Sequence, residues 1–285
     1  NPEYAAKTLK HNNPHVRLWT VRLLGDEKAI PEETASLLSG LAGIESNVEV
    51  RGQLAATAKR LSFAHALPIV RSLMSHDVDA EDIYQPLMVW WALESKVDAH
   101  SDEVLRLFGD KKLWGKSLVR QHILNRLIRR FAKSGTRRDL LNSAKLFELA
   151  PDIGATKVLM VGFEQAYKGR SMAALPERLM EAMARHGGGS VALGLRRGES
   201  KAVDEALKVI ADVKAEKIIR LQYSEIIGEV PNLKAIPVFL NILKTDSKET
   251  SKRMRKLLLS CMANWKEKNK DKSIENTDLF IKEVF

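Results

Sequence analysis

The sequence predicts an all-α chain, an α-solenoid (superhelix) of about eight antiparallel helix pairs. Three observations carry that expectation. An apolar residue followed by arginine returns at multiples of about 34 residues, a period in the range of helical repeats. Apolar residues recur three and four apart, the period of one helix face. No segment alternates β-branched residues between turn signals, as a strand series would. A helix pair of this length cannot bury its apolar stripe alone, and stacking such pairs makes a continuous core.

The elements follow in order. Asn13-Pro14-His15-Val16-Arg17 opens a helical pattern that ends at Leu24-Gly25, and Asn47-Val48-Glu49-Val50-Arg51 opens one that runs through Leu54 to Leu61. Val16-Arg17 and Val50-Arg51 stand one period apart, and Val119-Arg120 follows two periods after Val50. Ile219-Arg220 and Met254-Arg255 are again one period apart. The predicted pairs span 2–24, 31–61, 64–96, 101–133, 136–168, 171–197, 199–229 and 232–264, with a lone helix over 273–284. All belong to a single repeat domain over 1–285. The sixth pair, near 171–197, is irregular, because Gly187-Gly188-Gly189 interrupts it.

Local signals mark the helix ends. Pro68 and Pro237 stand near the start of apolar runs, where a missing N–H is harmless in the first turn. Asp26, Asp77, Asp110 and Asp246 fall at turns where a short carboxylate caps the next helix. Gly25, Gly109 and Gly169 fall where a left-handed C-cap is expected.

Composition narrows the classes. The 285 residues carry 46 Lys+Arg against 36 Asp+Glu, a net charge of +10, and 45% are hydrophobic. Such a chain has enough apolar material for a packed core, which excludes wholesale disorder. Cys261 is the single cysteine, so no internal disulfide forms. No apolar run approaches the ~18 residues that span a bilayer. The chain opens on Asn1 with no charged n-region and apolar h-region behind it, and so reads as a fragment or a processed product.

The positive surplus is concentrated. Residues 111–138 hold ten basic residues and no acidic one, and the rest of the chain is balanced. A second basic cluster, Lys252, Arg253, Arg255, Lys256, Lys266, Lys268 and Lys270, is offset by Glu267 alone. At 100° per residue, Ile123, Leu124, Leu127, Ile128 and Phe131 share one helix face. Arg120 shares it too and takes the repeat position of Arg17, Arg51, Arg220 and Arg255. At that position a guanidinium donates to turn carbonyls or carboxylates between neighbouring pairs, or contacts a ligand. Arg126, Arg129, Arg130 and Lys133 point the other way and, with Arg137 and Arg138, form a candidate patch for phosphates or an acidic protein face. The same residues also suit a solvated face, or pairing with acids of a neighbouring repeat.

Other constellations are weaker. Trp90 and Trp91 diverge by about 100°, so both cannot point into the same core; they suit core or inter-repeat packing, or one of them lines the surface or concave groove as an aromatic contact for a ligand or partner domain. His11, His15, His65, His76, His100, His122 and His186 are scattered; His11 and His15 stand four apart, but Asn12-Asn13-Pro14 places them around a turn, and no His-Glu-x-x-His is present. Gly187-Gly188-Gly189-Ser190 lacks the lysine of a phosphate loop, and no nucleophile elbow is present. No catalytic residue is predicted.

The Asn-Pro-His-Val-Arg opening and the period resemble HEAT-like repeats. A more specific resemblance covers nearly the whole chain. It is carried by Asn13 to Asp26, Val50-Arg51-Gly52-Gln53-Leu54-Ala55, Ala66-Leu67-Pro68-Ile69-Val70-Arg71, Pro86-Leu87-Met88-Val89-Trp90-Trp91-Ala92, Gly135-Thr136-Arg137-Arg138-Asp139-Leu140-Leu141 and Gly162 to Arg170. These segments resemble the HEAT-like middle region of the large haem-binding putative membrane-bound dehydrogenases typical of planctomycetes and verrucomicrobia. The resemblance implies a periplasmic or cell-surface scaffold whose partners are proteins or neighbouring domains of its own polypeptide. It places haem in a separate domain: Cys261 is followed by Met262-Ala263-Asn264-Trp265 and not by a Cys-x-x-Cys-His attachment site, so this chain itself carries no cofactor. The alternative expectation is a DNA-binding HEAT-like protein of the alkylbase DNA glycosylase type, with nucleic acid on the basic patch.

Overall fold

The computed structural model describes residues 2–168, 172, 175–185, 191–229, 232, 234–245, 252, 256 and 257. Among these residues the chain is all-α and no strand occurs. It divides into two compact units, residues 1–166 with 175–188, and residues 167–174 with 189–285.

The first unit is built from α1 (Pro2–Leu9), α2 (Pro14–Asp26), α3 (Glu32–Ile44), α4 (Val48–Arg60), α5 (Phe63–Leu73), α6 (Gln85–Val97), α7 (Ser101–Leu107), α8 (Lys111–Trp114), α9 (Leu124–Ser134), α10 (Arg137–Leu149), α11 (Ile153–Ala166) and α12 (Glu177–Ala184). A 3-10 turn, Asp77–Glu81, precedes α6, and a π-helical turn, Val119–Ile123, runs directly into α9. Helices pack against the element two places on: α1 on α3, α2 on α4, α3 on α5, α4 on α6, α9 on α11 and α10 on α12. Leu38, Leu54, Ile69, Leu73, Phe108, Phe131, Phe147 and Phe163 are fully buried between them. Each such side chain contributes roughly 1.5–3 kcal/mol by leaving water.

Caps fix where these helices begin. Asn13 Oδ1 accepts from the His15 amide at 2.9 Å, with Pro14 at the first helical position of α2. Asn47 Oδ1 accepts from the amides of Glu49 (3.0 Å) and Val50 (3.1 Å) at the start of α4. Asp110 caps α8 through the Lys112 amide at 3.0 Å. Each cap contributes about 1 kcal/mol.

Several expected boundaries are corrected. Asp26 ends α2 and pairs with Arg60 at 2.5 Å, so it caps nothing. Asp77 accepts from the Ser117 amide, far along the chain, at 2.6 Å. Gly25 lies inside α2, buried, where a β-carbon would come within 2.6 Å of Thr57 Cγ2; close helix approach, not a left-handed cap, is what glycine serves there. Gly109 is also outside the left-handed region, which among the described residues holds Lys28 (φ 59°), Gly135 (φ 68°) and Gly198 (φ 74°). Pro68 lies in the middle of α5, because that helix starts at Phe63 and not beside the proline. Asp246, Gly169, Gly187-Gly188-Gly189 and the lone helix over 273–284 lie outside the described residues.

In the second unit the described elements are α13 (Val191–Arg197), α14 (Ser200–Ala211), α15 (Lys217–Glu229) and α16 (Ala235–Thr245). Their core joins Leu195, Val203, Ala206, Ile210, Ile226, Ile227, Phe239 and Ile242.

Candidate interaction surface

Two kinds of arginine stand out, one tying turns together and one facing solvent. Arg17 Nη1 donates to the carbonyls of His11 (2.7 Å) and Asn12 (3.0 Å), and its Nε and Nη2 grip Glu45 at 2.7 and 2.6 Å. Arg51, one period further on, repeats the set: Nη1 donates to the carbonyls of Glu45 (3.0 Å) and Ser46 (2.7 Å), and Nε and Nη2 grip Asp79, the first at 2.7 Å. Each arginine therefore joins the turn before its own helix to a carboxylate 28 residues later. The planar guanidinium, with five donors in a fixed fork, supplies all four of these bonds at once.

The other repeat-position arginines are less alike. Arg120, in the π-helical turn, reaches Asp152 at 3.1 and 3.4 Å, and both side chains are partly exposed. Arg220 is buried and donates to the Ile210 carbonyl at 2.9 Å. Arg255 lies outside the described residues. Arg196, not singled out by its sequence position, is buried and donates to the Tyr167 carbonyl (3.2 Å) and Glu229 (2.5 Å).

The basic patch lies on α9 and the start of α10. Ile123, Leu124, Leu127, Ile128 and Phe131 are buried, and the cations occupy the other face. Acidic residues supplied by α6 and its end meet part of it. Arg130 pairs with Asp98 at 2.6 Å and approaches Glu94 at 3.8 Å. Arg138 donates to the Asp98 carbonyl (3.1 Å) and Ser101 Oγ (2.9 Å). Arg126 donates to the His122 carbonyl at 2.9 Å, and burial, then the neighbouring Arg129, lower its pKa. Lys133 is exposed. Arg129 and Arg137 are exposed and form no hydrogen bond or ion pair among the described residues. The run of ten cations is thus partly neutralised by carboxylates distant in sequence.

A second surface lies between α2, α4 and α6. Trp90 points inward and is 6% exposed, whereas Trp91 is 45% exposed. Lys59 Nζ stands 5.7 Å from the Trp91 ring centre, and on α2 the Arg22 guanidinium stands 5.2 Å from that of Trp19. Arg22, Ala56, Lys59, Arg60, Met88 and Trp91 line an open groove there, and no carboxylate is among its lining residues. Sequence reasoning reached Trp91 but missed Trp19, Arg22 and Lys59. Their signal was the i,i+3 placement of Trp19 and Arg22 on one helix face.

Among the described residues, no three His, Cys, Asp or Glu side chains gather where a metal could be held. No described helix is long and apolar enough to cross a membrane.

No protein-family model matches the chain. It is 35% identical over 99 residues to the large ribosomal subunit protein uL22 of Christiangramia forsetii, a match that covers 32% of this chain and 70% of that protein. With uL22 of Flavobacterium johnsoniae the identity is 34% over 94 residues, 32% of this chain and 69% of the relative. Shorter matches reach uL22 of Bacteroides thetaiotaomicron, 46% identical over 46 residues, 16% of this chain and 33% of the relative. Through about a third of its length, the chain belongs to the uL22 family of large ribosomal subunit proteins.

Proposed function

We propose that the chain is a non-catalytic α-solenoid of HEAT-like helix pairs, a scaffold that binds a partner protein or a neighbouring domain. The observation that carries this is the equivalence of Arg17 and Arg51, one period apart, whose donors meet the same turn carbonyls and the same offset carboxylate. Identical networks at a fixed period are what a stack of like hairpins requires. The middle region of exported haem-binding dehydrogenase-like proteins remains our reading of the parent context, with haem held elsewhere. For the third related to uL22 we propose an association with the large ribosomal subunit, through RNA or protein.

Small-angle scattering tests the scaffold reading. A compact chain of this length has a radius of gyration of about 19 Å. An elongated stack gives a clearly larger value, and a value near the compact one overturns the reading. Co-sedimentation with purified large ribosomal subunits tests the second association, and a chain that stays in the supernatant overturns it.

One observation favours DNA binding of the alkylbase glycosylase type: Arg130 meets Glu94 and Asp98, on and just after the helix that carries Trp90 and Trp91. Against it, Asp98 already holds an ion pair and Trp90 is buried. Fluorescence anisotropy with duplex DNA at physiological salt separates the readings, since a glycosylase binds there and the scaffold does not.

A further inference from the structure

We propose that the groove between α2, α4 and α6 binds an acidic peptide segment of a partner protein, with its carboxylates on Arg22 and Lys59 and an apolar anchor side chain on Ala56, Met88 and Trp91. The proposal rests on the scaffold reading and names its class of partner.

Charge complementarity carries it. The groove's lining includes three cations and no carboxylate. Arg60 is already paired with Asp26 at 2.5 Å. The side chains of Arg22 and Lys59 make no ion pair among the described residues; Arg22 lies over the Trp19 ring and Lys59 over the Trp91 ring. A cation over an aromatic ring keeps its charge free for an incoming anion. The groove holds about 560 Å³, room for an anchor side chain beside its backbone. Its apolar wall includes Trp91, which is left 45% exposed although Trp90 beside it is packed away. Tryptophan and arginine are the residues most often found at the energetic centre of protein interfaces.

A single-stranded nucleic acid would also meet cations and aromatics here. It stacks bases on bare ring faces. Trp91 is the one aromatic side chain among the described residues that line the groove, and Lys59 lies over it, so successive bases find no row of stacking platforms beside the positive rim. That arrangement suits a peptide with acids flanking one hydrophobic residue.

The test uses the full chain and an array of short peptides in which Glu and Asp flank a central Leu, Phe or Trp. Matched peptides replace the acids by Lys or the anchor by Ala. A short polyuridylate is the nucleic-acid probe. The expected result is binding confined to peptides with both acids and anchor, weakened about tenfold or more in Lys59→Glu and in Trp91→Ala. Lys111→Glu, on α8 away from the groove, leaves it unchanged. All of these are surface positions, and circular dichroism checks that each variant stays folded. Absence of peptide binding, indifference to the anchor, or binding untouched by Lys59→Glu overturns the proposal. Polyuridylate binding that both groove variants abolish, without peptide binding, assigns the groove to nucleic acid instead. An elongated scattering profile with no peptide bound sinks this proposal and leaves the scaffold reading standing. A compact profile sinks the scaffold itself.

Discussion

Arg51 and Asp79 close a two-pronged ion pair between the first turn of α4 and the 3-10 turn before α6, with side chains only 5% and 2% exposed. Taking both charges out of water is costly, and their attraction offsets that cost only where every donor finds an acceptor. Here Nε and Nη2 meet the carboxylate and Nη1 meets the Glu45 and Ser46 carbonyls. The pair thus fixes a turn, a helix start and a later segment in one arrangement.

Removing one partner leaves the other buried and unpaired. Asp79→Ala should lower unfolding free energy by about 3–5 kcal/mol. Arg120→Ala, which loses a half-exposed pair with Asp152, should cost under about 1 kcal/mol. Urea denaturation compares the two. Equal losses would show that burial does not set the difference.

The equivalent carboxylate at Glu45 gives a pH dependence. Burial by itself raises its pKa, but hydrogen bonds from Arg17 and the Asn47 amide outweigh it and hold the group below the ordinary value of 4.5. A carboxylate depressed in the folded state stabilises it above its unfolded pKa, and the contribution is lost as pH falls through the folded value. Asp152 adds to the same limb, held low by the Ala155 amide and then Arg120. The urea midpoint should therefore fall as pH drops below about 4.5, and Glu45→Gln should flatten part of that slope while lowering stability at neutral pH. A mutant with the wild-type acid slope would rule Glu45 out as a contributor.

Gly162 sets how closely α11 approaches α9. A β-carbon there would lie 2.6 Å from the Asn125 carbonyl oxygen and 2.6 Å from Ile128 Cγ2. One of those atoms is backbone and cannot swing aside, so Gly162→Ala should destabilise by about 1–3 kcal/mol through overpacking. Its helix propensity alone would predict a gain of ~1 kcal/mol. The sign of the shift in thermal midpoint decides between them.

What could be read from the sequence was what depends on local chemistry. The apolar face of α9 and the periodic equivalence of Arg17 and Arg51 follow from residue type and spacing, and the helical patterns opened by Asn13 and Asn47 begin where those side chains cap α2 and α4. What escaped depends on contacts distant in sequence. Gly25 looked like a helix end because glycine commonly is one, yet Thr57, on the neighbouring α4, explains it. The patch on α9 looked uncompensated because its counter-charges, Glu94 and Asp98, belong to another helix and its end. Arg196 was invisible because Glu229, its partner, has no signature of its own. Trp91 was noticed only for its neighbour Trp90, and Lys59 above its ring for nothing at all.

The neutralised patch gives the last prediction. Asp98 accepts from Arg130 through its carboxylate and from Arg138 through its carbonyl, so its side chain compensates one cation while its backbone holds another in place. Asp98→Ala removes the charge and leaves the carbonyl. The pair is exposed, 31% for Arg130 and 78% for Asp98, so the fold should lose less than about 1 kcal/mol. Arg130 would then join Arg129 and Arg137, which are already exposed without ion pairs among the described residues. At low salt, non-specific binding to a polyanion such as heparin should tighten, and the slope of log affinity against log salt should steepen by about one for the one cation released. Asp98→Asn should do the same, because it keeps the side chain's size and discards only the charge. If neither variant changes the slope, Arg130 does not face the polyanion and the patch is confined to Arg129, Arg137 and their nearest neighbours.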